Sequence, residues 1–141
     1  MNSKWGPLFA LAALVLAGCA RRAGPPPIAS DAECARCSMS TGNARFACER
    51  LEKDRWLVYD SIECLWHDAP HAAAATVWLP DYDQRALHRA DSLWIVKGEL
   101  ATPMGGGFAA FLERAAADTV AGASHGLVMR WSELAATGGR P

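Results

Sequence analysis

The sequence predicts an α+β protein. Two small, similar halves of strand–strand–helix–strand order pack together behind a signal peptide and a proline-rich tether. Three observations carry this. Short apolar runs of strand length, bounded by turn residues, recur along the chain. Two other stretches space their apolar residues as one face of a helix, the first behind a capping residue and the second closed by a glycine. The two kinds of segment follow the same order twice, about residues 33–83 and, more faintly, about residues 84–134, which leaves residues 135–141 as a tail.

The leader comes first. Lys4 is the only charge in the first twenty residues, and "GPLFALAALVLAG" (6–18) is an apolar run too short to span a bilayer comfortably. It ends in "LAGC", Leu16 to Cys19, which resembles the bacterial lipobox. Residues 1–18 are therefore expected to be a lipoprotein signal peptide and Cys19 a lipidated first residue. An ordinary cleaved signal peptide beside a chance cysteine is the plainer alternative. The segment 19–32 follows as a tether whose three consecutive prolines favour an extended chain, at about 3.1 Å per residue. Stable anchoring takes two acyl chains, which a diacylated cysteine supplies. The expected place is the cell envelope, lipid-anchored and facing the periplasm, with the choice of inner or outer membrane open.

The folded part is expected from Glu33. "ARFACERL" (44–51) alternates as a strand, and "WLVYD" (56–60) is a short run suited to a buried one. Asp60 or Ser61 then caps a helix carrying Ile62, Leu65, Trp66 and Ala69 up to Pro70. "ATVWLPDY" (75–82) reads as a third strand, stopped by Pro80. In the second half "DSLWIVKG" (91–98) is a strand and "ATPMGGG" (101–107) a tight stretch. Phe108, Phe111, Leu112, Ala115 and Ala116 mark one face of a helix ended by Gly122, and "LVMRWSEL" (127–134) is a last strand.

Composition narrows the function. Setting Lys4 aside with the leader leaves 13 of the 14 basic residues against 15 acidic ones, with no basic stripe, so nucleic acid is not an expected partner. No triad or paired-carboxylate pattern stands out, and an enzyme is not expected. His67 and His71 are four apart, but Pro70 between them spoils helical ligand geometry, while His88 and His125 sit in polar, loop-like contexts.

The cysteines carry more. Cys34, Cys37, Cys48 and Cys64 remain beside Cys19. In an exported protein they could form two structural disulfides, in any of three connectivities. A zinc module would want a second closely spaced pair, and the later cysteines stand alone. Ser38 occupies the histidine position of a haem-binding C-x-x-C-H motif. A thioredoxin-like redox pair at Cys34 and Cys37 would want a preceding strand and a helix opening at the motif. Here a tether precedes it and a Gly42-Asn43 turn follows.

The methionines point to a further reading. Met39 lies between two serines just past Cys37, and Met104 lies beside three glycines. Neither place suits a core methionine, the usual role of that residue. Thiolate and thioether sulfurs are soft donors that select Cu(I) over hard cations. Sulfur from both halves would then share one ion.

Read in order, "CARCSM" (34–39), "VYDSIECL" (58–65), "VWLPDY" (77–82), "ADSLWIVKG" (90–98), "PMGGGFAAF" (103–111) and "VMRWSEL" (128–134) resemble the NosL family, the copper-binding accessory lipoproteins of nitrous oxide reductase. The resemblance covers nearly all of the chain after the leader. It implies a membrane-anchored periplasmic Cu(I) metallochaperone, and two similar α+β halves like those of the organomercury lyase relatives. The partner it implies is the reductase or its ABC-type maturation complex. Carried over by motif, the metal ligands are Cys34, Cys37, Met39 and Met104. Family members commonly show glycine where this chain has Ser38. Cys48 and Cys64 fall outside the family pattern, and their role is left open between a disulfide and free thiols.

Overall fold

The computed structural model describes residues 24–138. The leader, Cys19 and the last three residues of the tail lie outside them. Among the described residues no helix is long and apolar enough to cross a membrane.

Strand β1 (Cys48–Glu52) and strand β2 (Arg55–Tyr59) form a hairpin. Its two turn residues, Lys53 and Asp54, both have positive φ, the primed-turn geometry that matches strand twist. Helix α1 (Ile62–Asp68) opens with Ser61 as its cap, whose side chain accepts the Cys64 N–H at 3.3 Å. Strand β3 (Val77–Pro80) then pairs antiparallel with β1, and the short strand β4 (Leu87–Arg89) adds to β3. The second half holds β5 (Trp94–Lys97), β6 (Phe108–Phe111), helix α2 (Arg114–Ala123), β7 (Leu127–Met129) and a closing helix α3 (Trp131–Ala136).

Both halves share one topology. The sheet orders are β2-β1-β3-β4 and β6-β5-β7, so the first strand of each half is central and the strands on either side of it are antiparallel to it. The strand–strand–helix–strand order read from the sequence is therefore present twice. Asp81 joins the sheets: its backbone bridges to Ala110, and its Oδ2 accepts the Leu112 N–H at 2.8 Å.

The main core is built from both sheets, α1 and α3, where Tyr59, Leu65, Leu79, Ile95, Phe108 and Trp131 are buried together. Each such apolar side chain contributes roughly 1.5–3 kcal/mol of burial free energy. A smaller core sits under α2, around Val96, Phe111 and Ala117. Two tryptophans fix α3: the Trp66 indole donates to the Leu134 carbonyl at 3.1 Å and the Trp131 indole to the Ala72 carbonyl at 2.7 Å.

Four local expectations need correction. Phe108–Phe111 is a strand, not the start of a helix. All four residues are buried, Phe108 and Ala110 in the main core and Ala109 and Phe111 under α2, and a run apolar on both faces has no period to read. The last predicted strand stops at Met129, and Trp131 begins α3, because the Arg130 N–H donates to the Glu133 carboxylate at 2.6 Å and turns the chain into a helix. The first strand starts at Cys48, not Ala44, since Asn43 accepts the Arg45 N–H through its side chain at 3.1 Å and holds a turn. His88 lies in β4 and is partly buried, not in a loop.

Candidate metal centre

The segment 34–39 forms a tight loop. Glu33 and Ser40 bridge its ends, the Cys34 N–H donates to the Met39 carbonyl at 2.8 Å, and the Ser38 N–H donates to the Cys34 carbonyl at 2.9 Å. Closing so few residues forces Ser38 into the left-handed region, with φ +60. The Ala35 N–H donates to the Val58 carbonyl at 2.8 Å, which docks the loop on the outer edge of β2.

That docking sets the loop over the junction of β2 and α1. Asp60 follows the strand, Ser61 caps the helix, and Cys64 sits in the first helical turn. One ligand atom each from Cys34, Cys37, Asp60 and Cys64 lies within 4.8 Å of all the others. Four ligands held tetrahedrally at sulfur–metal distances of about 2.3 Å stand roughly 3.8 Å apart, so side-chain movement on the order of 1 Å would close the set on a metal. Cys34, Asp60 and Cys64 are buried, whereas Cys37 is half-exposed and marks the open side. The Cys37 thiol donates to Asp60 Oδ2 at 3.6 Å, and the Ser61 hydroxyl holds Oδ1 at 3.3 Å.

Two thiols of the cluster, Cys37 and Cys64, resist ionisation. Partial withdrawal from water raises Cys37, against the pull of the Met39 N–H. Burial pushes Cys64 far up, and its hydrogen bond with Asp60 adds to this. Cys48 is pushed up by complete burial and donates a hydrogen bond to the Ser61 carbonyl at 3.3 Å, outside the cluster. The four cysteines among the described residues are free thiols in this structure. A disulfide oxidoreductase needs a thiol pKa that is lowered, commonly by a helix N-terminus, and Cys37 has neither the helix nor the direction.

The two methionines are placed differently. Met39 adjoins the cluster through its backbone and leaves its side chain 44% exposed. Met104, 41% exposed, lies between β5 and β6 and lines a cleft of ≈ 310 Å³ whose walls include Cys64, Glu63, Gly106 and Arg36. His67 lines the same cleft. The structure thus groups Cys34 and Cys37 with Asp60 and Cys64, two residues the motif did not assign, and sets Met104 across a cleft from Cys64. The capping signal at Asp60-Ser61 located the helix start, but not that its first turn faces the C-x-x-C loop.

The fold and cluster define a class: a small two-unit α+β protein with soft-metal donors at one strand–helix junction. Among solved structures, the fold matches the crystal structure of the copper chaperone NosL from Shewanella denitrificans, with a TM-score of 0.65 over 78% of this chain and 94% of that chain, at 17% sequence identity. The chain has the NosL fold, as the sequence motifs lead one to expect. No family profile matches it, and no curated protein matches it.

Proposed function

We propose that this chain is a Cu(I) metallochaperone of the NosL family. Anchored in the cell envelope through a lipidated Cys19 and facing the periplasm, it delivers copper to nitrous oxide reductase or to its ABC-type maturation complex. The observation that carries the reading is the grouping of three thiols and one carboxylate within 4.8 Å, on a fold shared with a copper chaperone.

Copper is the cargo. Soft sulfur donors favour Cu(I), and thiols bind it as thiolates. Asp60, already accepting the Cys37 hydrogen bond, is placed to take that proton as copper arrives. Cys34 and Cys64 are the inner donors, and half-exposed Cys37 is the donor a partner reaches first. Met39 and Met104 supply thioether sulfur at the rim.

Cu(I) titration of the reduced protein against a competing chelator tests this, with Zn(II) run in parallel. Tight binding of one Cu(I), lost in Cys34→Ser/Cys37→Ser, is expected. A site that takes Zn(II) and refuses Cu(I) would overturn it. Cys19→Ala should release the protein from membranes or leave it as an unprocessed precursor.

A further inference from the structure

Glu63 precedes Cys64 on α1 and is only 3% exposed. Its Oε1 accepts two hydrogen bonds from the loop between β5 and β6, from the Thr102 hydroxyl at 2.6 Å and the Gly106 N–H at 2.9 Å. The Thr102 oxygen in turn accepts the Gly107 N–H at 3.1 Å. One carboxylate oxygen of the first half therefore holds both sides of a loop of the second half, and Met104 lies between the two held points.

The glycines of "MGGG" fit this contact. A Cβ at Gly106 would stand 2.9 Å from both Cγ and Oε1 of Glu63, so only glycine lets the loop backbone reach the carboxylate. Gly107 has φ +73, and a Cβ there would lie 1.9 Å from the Gly98 carbonyl oxygen, which pins the loop at its base. The other carboxylate oxygen, Oε2, is buried without a hydrogen-bond partner among the described residues. A buried carboxylate with one oxygen unmatched is a costly way to gain stability alone. Glu63, Cys64, Gly106 and Met104 all line the one cleft.

We propose that Glu63 is a positioning residue for the metal centre: it clamps the Thr102–Gly107 loop to α1 and so sets the Met104 thioether over the Cys64 side of the cluster. The inference rests on the copper-binding reading above. Glutamate suits the task because a single side-chain oxygen with two lone pairs accepts from two donors at once.

The test is a double-mutant cycle on the reduced full chain. Cu(I) affinity is measured by chelator competition, together with the number of sulfurs at copper from X-ray absorption. Glu63→Ala should weaken Cu(I) binding by about 10- to 100-fold, the usual effect of removing a group that orients a metal ligand. Glu63→Gln keeps a carbonyl acceptor for both donors and should recover most of the affinity. Met104→Leu should weaken binding and remove one sulfur. Glu63→Ala/Met104→Leu should then bind no more weakly than Met104→Leu alone, because no thioether is left to position. Losses that add, a full sulfur count in Glu63→Ala, or a Gln variant as weak as the Ala variant would overturn the proposal while leaving copper binding intact. A wild-type chain that binds no Cu(I) would overturn both. Should Glu63→Ala fail to fold, Thr102→Val removes one of the two bonds and takes its place in the cycle, with the same non-additivity required.

Discussion

The sulfur of Cys37 and the carboxylate of Asp60 meet at 3.6 Å although 23 residues of chain separate them. Asp60→Asn keeps the shape and removes the charge. It should weaken Cu(I) binding by roughly tenfold, within the range for groups that support a metal ligand, with the fold retained. Chelator competition alongside far-ultraviolet circular dichroism checks it. An unchanged affinity would show that Asp60 neither orients Cys37 nor relieves it of its proton.

Two buried cysteines should behave differently. Cys64 belongs to the cluster, while Cys48 points to the Ser61 carbonyl. Cys64→Ser should lower Cu(I) affinity strongly. Cys48→Ser should leave it within a few-fold and cost about 1 kcal/mol of stability, the common size for a single substitution. Parallel titration and thermal melts separate the two effects, and equal copper losses would argue for a different ligand set.

Binding should depend on pH with a definite sign. The thiols of Cys37 and Cys64 are raised, so both are protonated at neutral pH and must lose protons to bind metal. Apparent Cu(I) affinity should therefore rise as pH goes from about 6 to about 8, by roughly tenfold per unit for each proton released. A flat profile would mean that the bound sulfurs are thioethers only.

Ser38 adopts φ +60, a conformation that costs a residue with a Cβ roughly 1–2 kcal/mol. Ser38→Gly relieves this strain, although the unfolded chain gains freedom. The apo protein should melt a few degrees higher, as each kcal/mol moves the midpoint of a domain this size by about 4–8 °C. A lower melting point would show that the serine side chain stabilises the loop in its own right.

Glu49 titrates far from the usual carboxylate range, pushed up to about 7 by burial. It is 1% exposed on β1, and its Oε2 has no partner among the described residues. Because the folded pKa lies above the unfolded one, the contribution of Glu49 to stability is complete below about pH 4.5 and is lost as pH rises through about 7. Glu49→Gln should abolish that loss, so its advantage over the wild type in thermal melts should grow between about pH 5 and pH 8. Identical pH profiles for the two proteins would contradict the assignment.

The sequence showed some of this directly. The Ser61 cap, the helix behind it and the strand at 56–59 were legible because each depends on neighbours along the chain, although β2 is a partly buried edge strand and not the buried one expected. The Phe108–Phe111 strand was not, since a run apolar at every position shows no period that separates strand from helix and only pairing with β5 decides it. At the site, Cys34 and Cys37 declared themselves by proximity. Asp60 and Cys64 did not, because what brings them in is the docking of Ala35 on the Val58 carbonyl, a contact between segments with no shared motif.

The repeated topology also bears on stoichiometry. Counted from the helix starts, Cys64 of α1 corresponds to Ala116 of α2, and Asp60 corresponds to Leu112. The second unit has the same scaffold with no donor atoms at those places. A duplicated frame of this kind carries its donor atoms in one copy and uses the other as a wall, so copper titration is expected to saturate at a single equivalent per polypeptide.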